Sequence, residues 1–177
     1  GRAAGIHIQE ALKTGGGVAD ADSDDINKAL HGLNKINSSS DGFEVAEVKR
    51  ELQSVMQNYF GVFRRGDYME KGVSALEEIR EKVSNLHLKD KSMAFNTSRV
   101  EALELQNLFE VAEATAIASL QRTESRGAHA RDDFKERDDE NWLCHSLYDP
   151  IKKTLSKRDV NFTPIQVDTF EPKERTY

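Results

Sequence analysis

Apolar residues recur at steps of three and four along most of this chain, and that period predicts helix. The clearest run spans 68–86, where Met69, Val73, Leu76, Ile79, Val83 and Leu86 form an unbroken stripe. The run before it, 44–63, places Val48, Leu52, Val55, Met56, Tyr59 and Phe63 at the same steps. Asp41 and Glu44 have the spacing of a capping-box variant at its start. Between the two runs stands Arg64-Arg65-Gly66-Asp67, where Gly66 suits a left-handed helix stop and Asp67 an N-cap with Glu70 three residues on. So short a turn predicts antiparallel neighbours. The third run, 97–122, has two apolar faces. Val100, Leu103, Val111, Ala114 and Ala118 lie on one; Leu105, Phe109, Ala112, Ala116 and Leu120 lie on the other. One face is expected to complete a three-helix bundle, and the other needs a cover. That cover is either the short helices at the start of the chain or a part of the protein outside it.

Polarity rises at both ends. Residues 2–13 predict a helix with Ala3, Ile6 and Ile8 apolar, too short to be stable without support. Gly15, Gly16 and Gly17 break it, Ser23 is a candidate N-cap, and Ile26, Leu30 and Leu33 mark a short second helix before a loop over 37–42. The opening at Gly1, in mid-helix and without a capping residue, is expected of a piece cut from a longer protein. Near the other end, 142–148 predicts a strand and 160–167 a second one that Pro164 confines to an edge, with IKKTLSKRD between them. The fold class is therefore mainly α: a bundle over 41–123, a preceding linker and short helices over 1–40, and a charged corner with a hairpin or extended tail over 124–177.

Composition narrows the classes. At 177 residues the chain is one ordinary domain with an arm. A net charge of −6 with interspersed signs offers no footprint for nucleic acid. One Cys leaves no internal disulfide or multi-cysteine metal site. No run approaches the roughly 20 apolar residues that span a bilayer, and no signal peptide opens the chain. The sequons at Asn37, Asn96 and Asn161 and the tripeptide Arg65-Gly66-Asp67 are taken as chance and as turn chemistry respectively.

Candidate chemistry concentrates in 124–147, ESRGAHARDDFKERDDENWLCHSL, which is dense in charge and ends on the only Trp and Cys. Arg126, Arg131 and Arg137 stand at short range from Glu124, Asp132, Asp133, Asp138 and Asp139, the arrangement for bidentate guanidinium–carboxylate pairs. The stretch reads either as a self-neutralising structural corner or as a docking surface, with Glu124, Arg126, His129 and Arg131 as its residues. His129 is placed to titrate or to bond a carboxylate. Cys144 reads as a small buried hydrophobe, and its neighbour His145 is poorly placed to serve it as a base. The scattered His7, His31, His87, His129 and His145 give no metal site. No phosphate-binding glycine loop, zinc helix or nucleophile elbow is present, so no catalytic, cofactor-binding or metal residue is assigned.

Glu124-Ser-Arg-Gly-Ala-His129, with Arg131, Asp133-Phe134, Arg137-Asp-Asp139 and Trp142, resembles the C-terminal region of the succinate dehydrogenase/fumarate reductase flavoprotein subunit, bacterial succinate dehydrogenases most of all. Gly1-Arg-Ala-Ala-Gly5, Phe63-Arg64, Gly66-Asp67, Phe95-Asn-Thr97, Arg99-Val-Glu101 and Arg175-Thr-Tyr177 extend the resemblance over essentially the whole chain. Lys135 departs from it, where a Pro often follows the Asp-Phe pair. The resemblance implies a spectrin-repeat-like bundle in a parent subunit that oxidises succinate to fumarate through FAD. It places the covalent FAD attachment and the dicarboxylate site upstream, so no FAD and no turnover are expected of this piece alone. The implied partners are the flavin-binding domain of the same subunit, the iron–sulfur subunit and, indirectly, the membrane anchor subunits, at the cytoplasmic face of the bacterial inner membrane. A free-standing helical interaction module is the alternative.

Overall fold

The computed structural model describes residues 1–15, 19–164, 168–170 and 173. The chain divides into two compact units, Gly1–Lys35 and Ile36–Tyr177. In the first, α1 (Arg2–Lys13) buries no residue. It ends at Thr14, whose N–H and hydroxyl both bond the Glu10 carbonyl, and Gly15 follows at φ +92°. Helix α2 (Ser23–Ser38) starts one residue earlier than a Ser23 cap allows. Ser23 is already helical, and the Asp22 carboxylate accepts the Asp24 N–H at 3.0 Å in its place.

The boundary between the units falls inside α2, whose last turn belongs to the second unit through buried Ile36. The predicted loop over 37–42 is shorter as a result. Next come β1 (Phe43–Glu44), α3 (Val45–Tyr59), β2 (Phe63–Arg64), α4 (Gly66–Ser84), β3 (Leu86–His87) and α5 (Thr97–Gln121). Helices α3, α4 and α5 pack pairwise around one apolar core that includes Val48, Leu52, Met69, Leu76, Ile79, Leu105 and Phe109. The first five are positions the helical period placed inward, and Leu105 and Phe109 lie on one of the two α5 faces between which it did not choose. One position differs. Phe63 is 78% exposed while Phe60 is 5% exposed, because α3 stops at Tyr59 and its 100° period cannot be carried on to 63. Phe60 sits where a Cβ on Gly72 would come within 2.5 Å of its ring, so a glycine is needed there for α4 to approach.

The predicted caps of α3 and α4 also differ. Glu44 makes no capping bond and pairs with Lys89 instead. Gly66 opens α4 and is not among the glycines with positive φ, and Asp67 pairs with Arg65 at the surface. For α5, Asn96 supplies the cap, accepting the Arg99 N–H at 2.9 Å.

On α5 the two predicted faces separate only in part, since Leu103, predicted on the face of Val100 and Val111, packs against the core. Leu105, Phe109, Ala112 and Ala116 are buried in the core, while Val100 and Val111 are 54% and 64% exposed. Buried Glu113 pairs with Arg80 on α4.

Beyond α5 lie β4 (Ala130–Arg131), the one-turn α6 (Asp139–Trp142), β5 (Cys144–Asp149) and β6 (Thr154–Asp159). Strands β5 and β6 form an antiparallel hairpin in register Cys144↔Asp159 to Asp149↔Thr154. The second strand thus lies in the stretch predicted as a connection, and the predicted strand over 160–167 is not found at 160–164; 165–167 lie outside the described residues. The cause is the turn. Asp149 Oδ1 accepts the N–H groups of Ile151 and Lys152, and Lys153 adopts φ +52°, so the chain reverses at once. Leu155 is the only apolar residue of β6, which left its strand character without an alternating signal. Trp142 ends α6 rather than starting a strand.

Candidate functional site

Two short parallel pairings bring the turn after α3 to the charged corner: Phe63 pairs with Ala130 and Arg64 with Arg131. Parallel pairing across this separation is invisible to local periodicity, and it sets the geometry of everything that follows.

Glu124 is fully buried, at 0% exposure. Its carboxylate accepts Arg122 Nη1 at 2.5 Å, Arg126 Nε at 2.8 Å and Nη2 at 3.0 Å, and the Asp138 N–H at 2.8 Å. Burial pushes this carboxyl up, and the bonds from Arg126, the Asp138 amide and Arg122 outweigh it and hold it below the usual range. Arg126 reaches on to Asp139 at 2.6 Å, and Arg137 holds the other oxygen of that carboxylate. Arg122 also donates to the carbonyls of Trp142 and Cys144 and lies 5.0 Å over the Trp142 ring. The ring's other cation is Lys157, from β6. The Trp142 indole N–H closes the corner on Thr123.

Arg131 is 3% exposed and joins two helix ends. Its Nη1 donates to the carbonyls of Ser119, Leu120 and Arg122, the unsatisfied groups at the end of α5. Its Nε and Nη2 grip Asp133 bidentately at 2.7 Å. Asp133 Oδ2 in turn accepts the Gly66 N–H at 2.8 Å, so a carboxylate 67 residues away in sequence sits at the start of α4. A Cβ at Gly66 would meet that oxygen at 3.0 Å. Cation at the negative end of α5 and anion at the positive end of α4 are each worth ~0.3–1 kcal/mol, more when partly buried. The Arg131 guanidinium and the Gly66 N–H hold the Asp133 carboxyl well below its ordinary value, against a desolvation that raises it.

His129 bonds no described carboxylate, so of its two expected roles, titrating or bonding a carboxylate, the second is not found. Its Nε2 lies 3.1 Å from the Arg122 carbonyl and its Nδ1 lies 2.8 Å from Arg64 Nη1. A carbonyl only accepts and a guanidinium only donates, so Nε2 carries the proton and the ring is neutral. Burial first, then the nearby charges of Arg64, Arg131 and Arg122, press its pKa below 6.5, against a raising bond from the Arg122 carbonyl.

Glu124, Arg126, His129 and Arg131 thus meet in one corner. Sequence reasoning missed Arg64, which the pairing of β2 with β4 brings to Ser119 and His129, and Ser119 and Arg122, which α5 and its C-cap supply to the corner. Cys144 is half-buried rather than buried, in a recess it shares with His145. Among the described residues no group of three or more His, Cys, Asp or Glu could hold a metal ion.

The family model described as "Fumarate reductase flavoprotein C-term" matches residues 49–177. The succinate dehydrogenase flavoprotein subunit of Coxiella burnetii is 43% identical over 99% of this chain and 30% of its own length. The mitochondrial succinate dehydrogenase [ubiquinone] flavoprotein subunit of Oryza sativa subsp. japonica is 33% identical over 100% of this chain and 29% of its own. Among solved structures, a chain of E. coli quinol fumarate reductase superposes with a TM-score of 0.71 at 28% identity, over 86% of this chain and 27% of that one. Adenylylsulfate reductase from Archaeoglobus fulgidus shares the fold alone, with a TM-score of 0.71 at 20% identity over 95% of this chain and 29% of that one. This chain spans about 30% of the length of the Coxiella relative. The matched core, hairpin and charged corner together establish that the chain belongs to the succinate dehydrogenase/fumarate reductase flavoprotein family, as its C-terminal domain.

Proposed function

We propose that this domain serves a succinate dehydrogenase flavoprotein subunit as a structural and docking element, a three-helix, spectrin-repeat-like bundle that buttresses the flavin-binding domain. In the parent, succinate is oxidised to fumarate, FAD attached upstream takes the electrons, and an iron–sulfur subunit relays them towards quinone. This chain's own residues supply the scaffold: Glu124, Arg126, His129 and Arg131 hold the corner between α5 and the hairpin. No catalytic or FAD-binding role is assigned to them. Membrane association is peripheral, through anchor subunits at the cytoplasmic face; no described helix is long and apolar enough to cross a bilayer.

The observation that carries this reading is the outward face of α5. Val100, Leu108 and Val111 are 54%, 43% and 64% exposed on a helix whose opposite face is fully packed. An apolar stripe on one side of a core helix is the mark of a second packing partner. Hydrogen exchange of residues 97–121, in this chain alone and in the whole flavoprotein subunit, tests it. Slower exchange in the whole subunit is expected; equal protection would exclude docking through this face.

A further inference from the structure

Four arginines of the corner face carboxylates: Arg122 and Arg126 share Glu124, Arg131 holds Asp133, and Arg137 holds Asp139. Arg64 is the exception. It is half-buried, yet no described carboxylate lies within ion-pair distance. Its Nε donates to the Gly61 carbonyl, its Nη1 to Ser119 Oγ and His129 Nδ1, and its Nη2 to nothing described. It lines a recess of about 320 Å³ together with Ser119, Arg122, His129, His145 and Ser146, and no Asp or Glu contributes to that lining. Arg122 is already met by buried Glu124, so in a chain of net charge −6 the unmatched positive charge of this recess is that of Arg64. A partly desolvated guanidinium is costly until an anion meets it, and its planar fork matches a carboxylate.

We propose that this recess binds a carboxylate, held by Arg64 Nη2 and flanked by Arg122 and the Ser146 hydroxyl. Neighbouring groups support the capture of an anion there. The other atoms of Arg64 are fixed by three bonds, so the free N–H groups are pre-oriented and little ordering entropy is lost on binding. His129 is neutral and bonded to Arg64, so it adds no competing charge and reports on the site. Two sources share this chemistry: a small free carboxylate, or an Asp or Glu side chain of a polypeptide packed on the corner.

The test is a titration of the chain with sodium acetate against sodium chloride at matched ionic strength, read by NMR at the His129 ring. A saturable shift with acetate alone is expected, roughly ten-fold weaker in Arg64→Gln. Shifts of equal size with chloride, or unaltered binding in the variant, would overturn the proposal. Should Arg64→Gln fail to fold, Arg64→Lys keeps the charge without the fork, and full acetate affinity in it would equally overturn the proposal. The same titration on a full-length flavoprotein carrying this domain distinguishes the sources, an arm that rests on the proposed function. Saturation there identifies a small ligand. A His129 signal already at the acetate-bound position identifies a side chain, and an unresponsive signal at the free position contradicts both.

Discussion

The core between α3, α4 and α5 and the charged corner over 124–142 hold the same domain together by opposite means. The core is a sum of many weak, non-directional contacts, in which Leu52, Leu76 and Leu105 are interchangeable in kind and differ only in fit. The corner rests on few contacts that are directional and charged, and its members differ in role. Glu124 meets two arginines and a backbone N–H, whereas Arg131 bonds two α5 carbonyls, that of the C-cap Arg122, and Asp133. A core of the first kind degrades gradually, while a buried charge cluster fails when one member leaves, because its partners are then stranded without water.

The sharpest way to break that comparison is Glu124→Gln, which preserves shape, removes the charge and turns one accepting oxygen into a donor that faces other donors. With the side chain fully buried against Arg122 and Arg126, the expected loss is about 3–5 kcal/mol, measured by urea unfolding. A loss below that of an ordinary surface change would show that the corner is not held by its charge. In the core, Leu105→Ala, at 1% exposure, is expected to cost about 2–5 kcal/mol by the same measurement, and Leu105→Met less than about 1.5. An equal cost for both would mean that the core, too, is specific rather than additive.

The smallest effect is expected at Asp133→Asn. This carboxylate is 35% exposed, so solvent screens its pair with Arg131, and about 1 kcal/mol is expected from the lost cap and ion pair. Its folded pKa lies below its ordinary value of 3.8. The stabilisation is therefore complete above that value and is lost as pH falls through the folded value, where both states are protonated. Urea midpoints of the two proteins should differ at pH 7 and converge in strong acid; a gap that widens on acidification would reverse the assignment.

The helical stripes were legible because a helix repeats every 3.6 residues, so Met69, Leu76, Ile79 and Val83 could be placed inward from local spacing alone. The same reasoning failed at Phe63, where the helix had ended, and at β6, where a turn rather than an apolar pattern set the strand. In the corner the residues were legible and their partners were not. Glu124, Arg126, His129 and Arg131 could be picked out as charged and close in sequence. That His129 would bond Arg64, or that Asp133 would cap α4, depends on a chain segment more than 60 residues away.

By itself, then, the sequence determined the helical class, the inward faces of α3 and α4 and, through the Ser-Arg-Gly-Ala-His run, the family. Those depend on local period and residue identity. Only the tertiary structure decided which α5 face is covered within the chain, which atom of His129 carries the proton, and which arginine is left without a carboxylate. Each of these depends on non-local pairing, chiefly of Phe63 and Arg64 with Ala130 and Arg131, and on counting hydrogen-bond donors and acceptors in the closed corner.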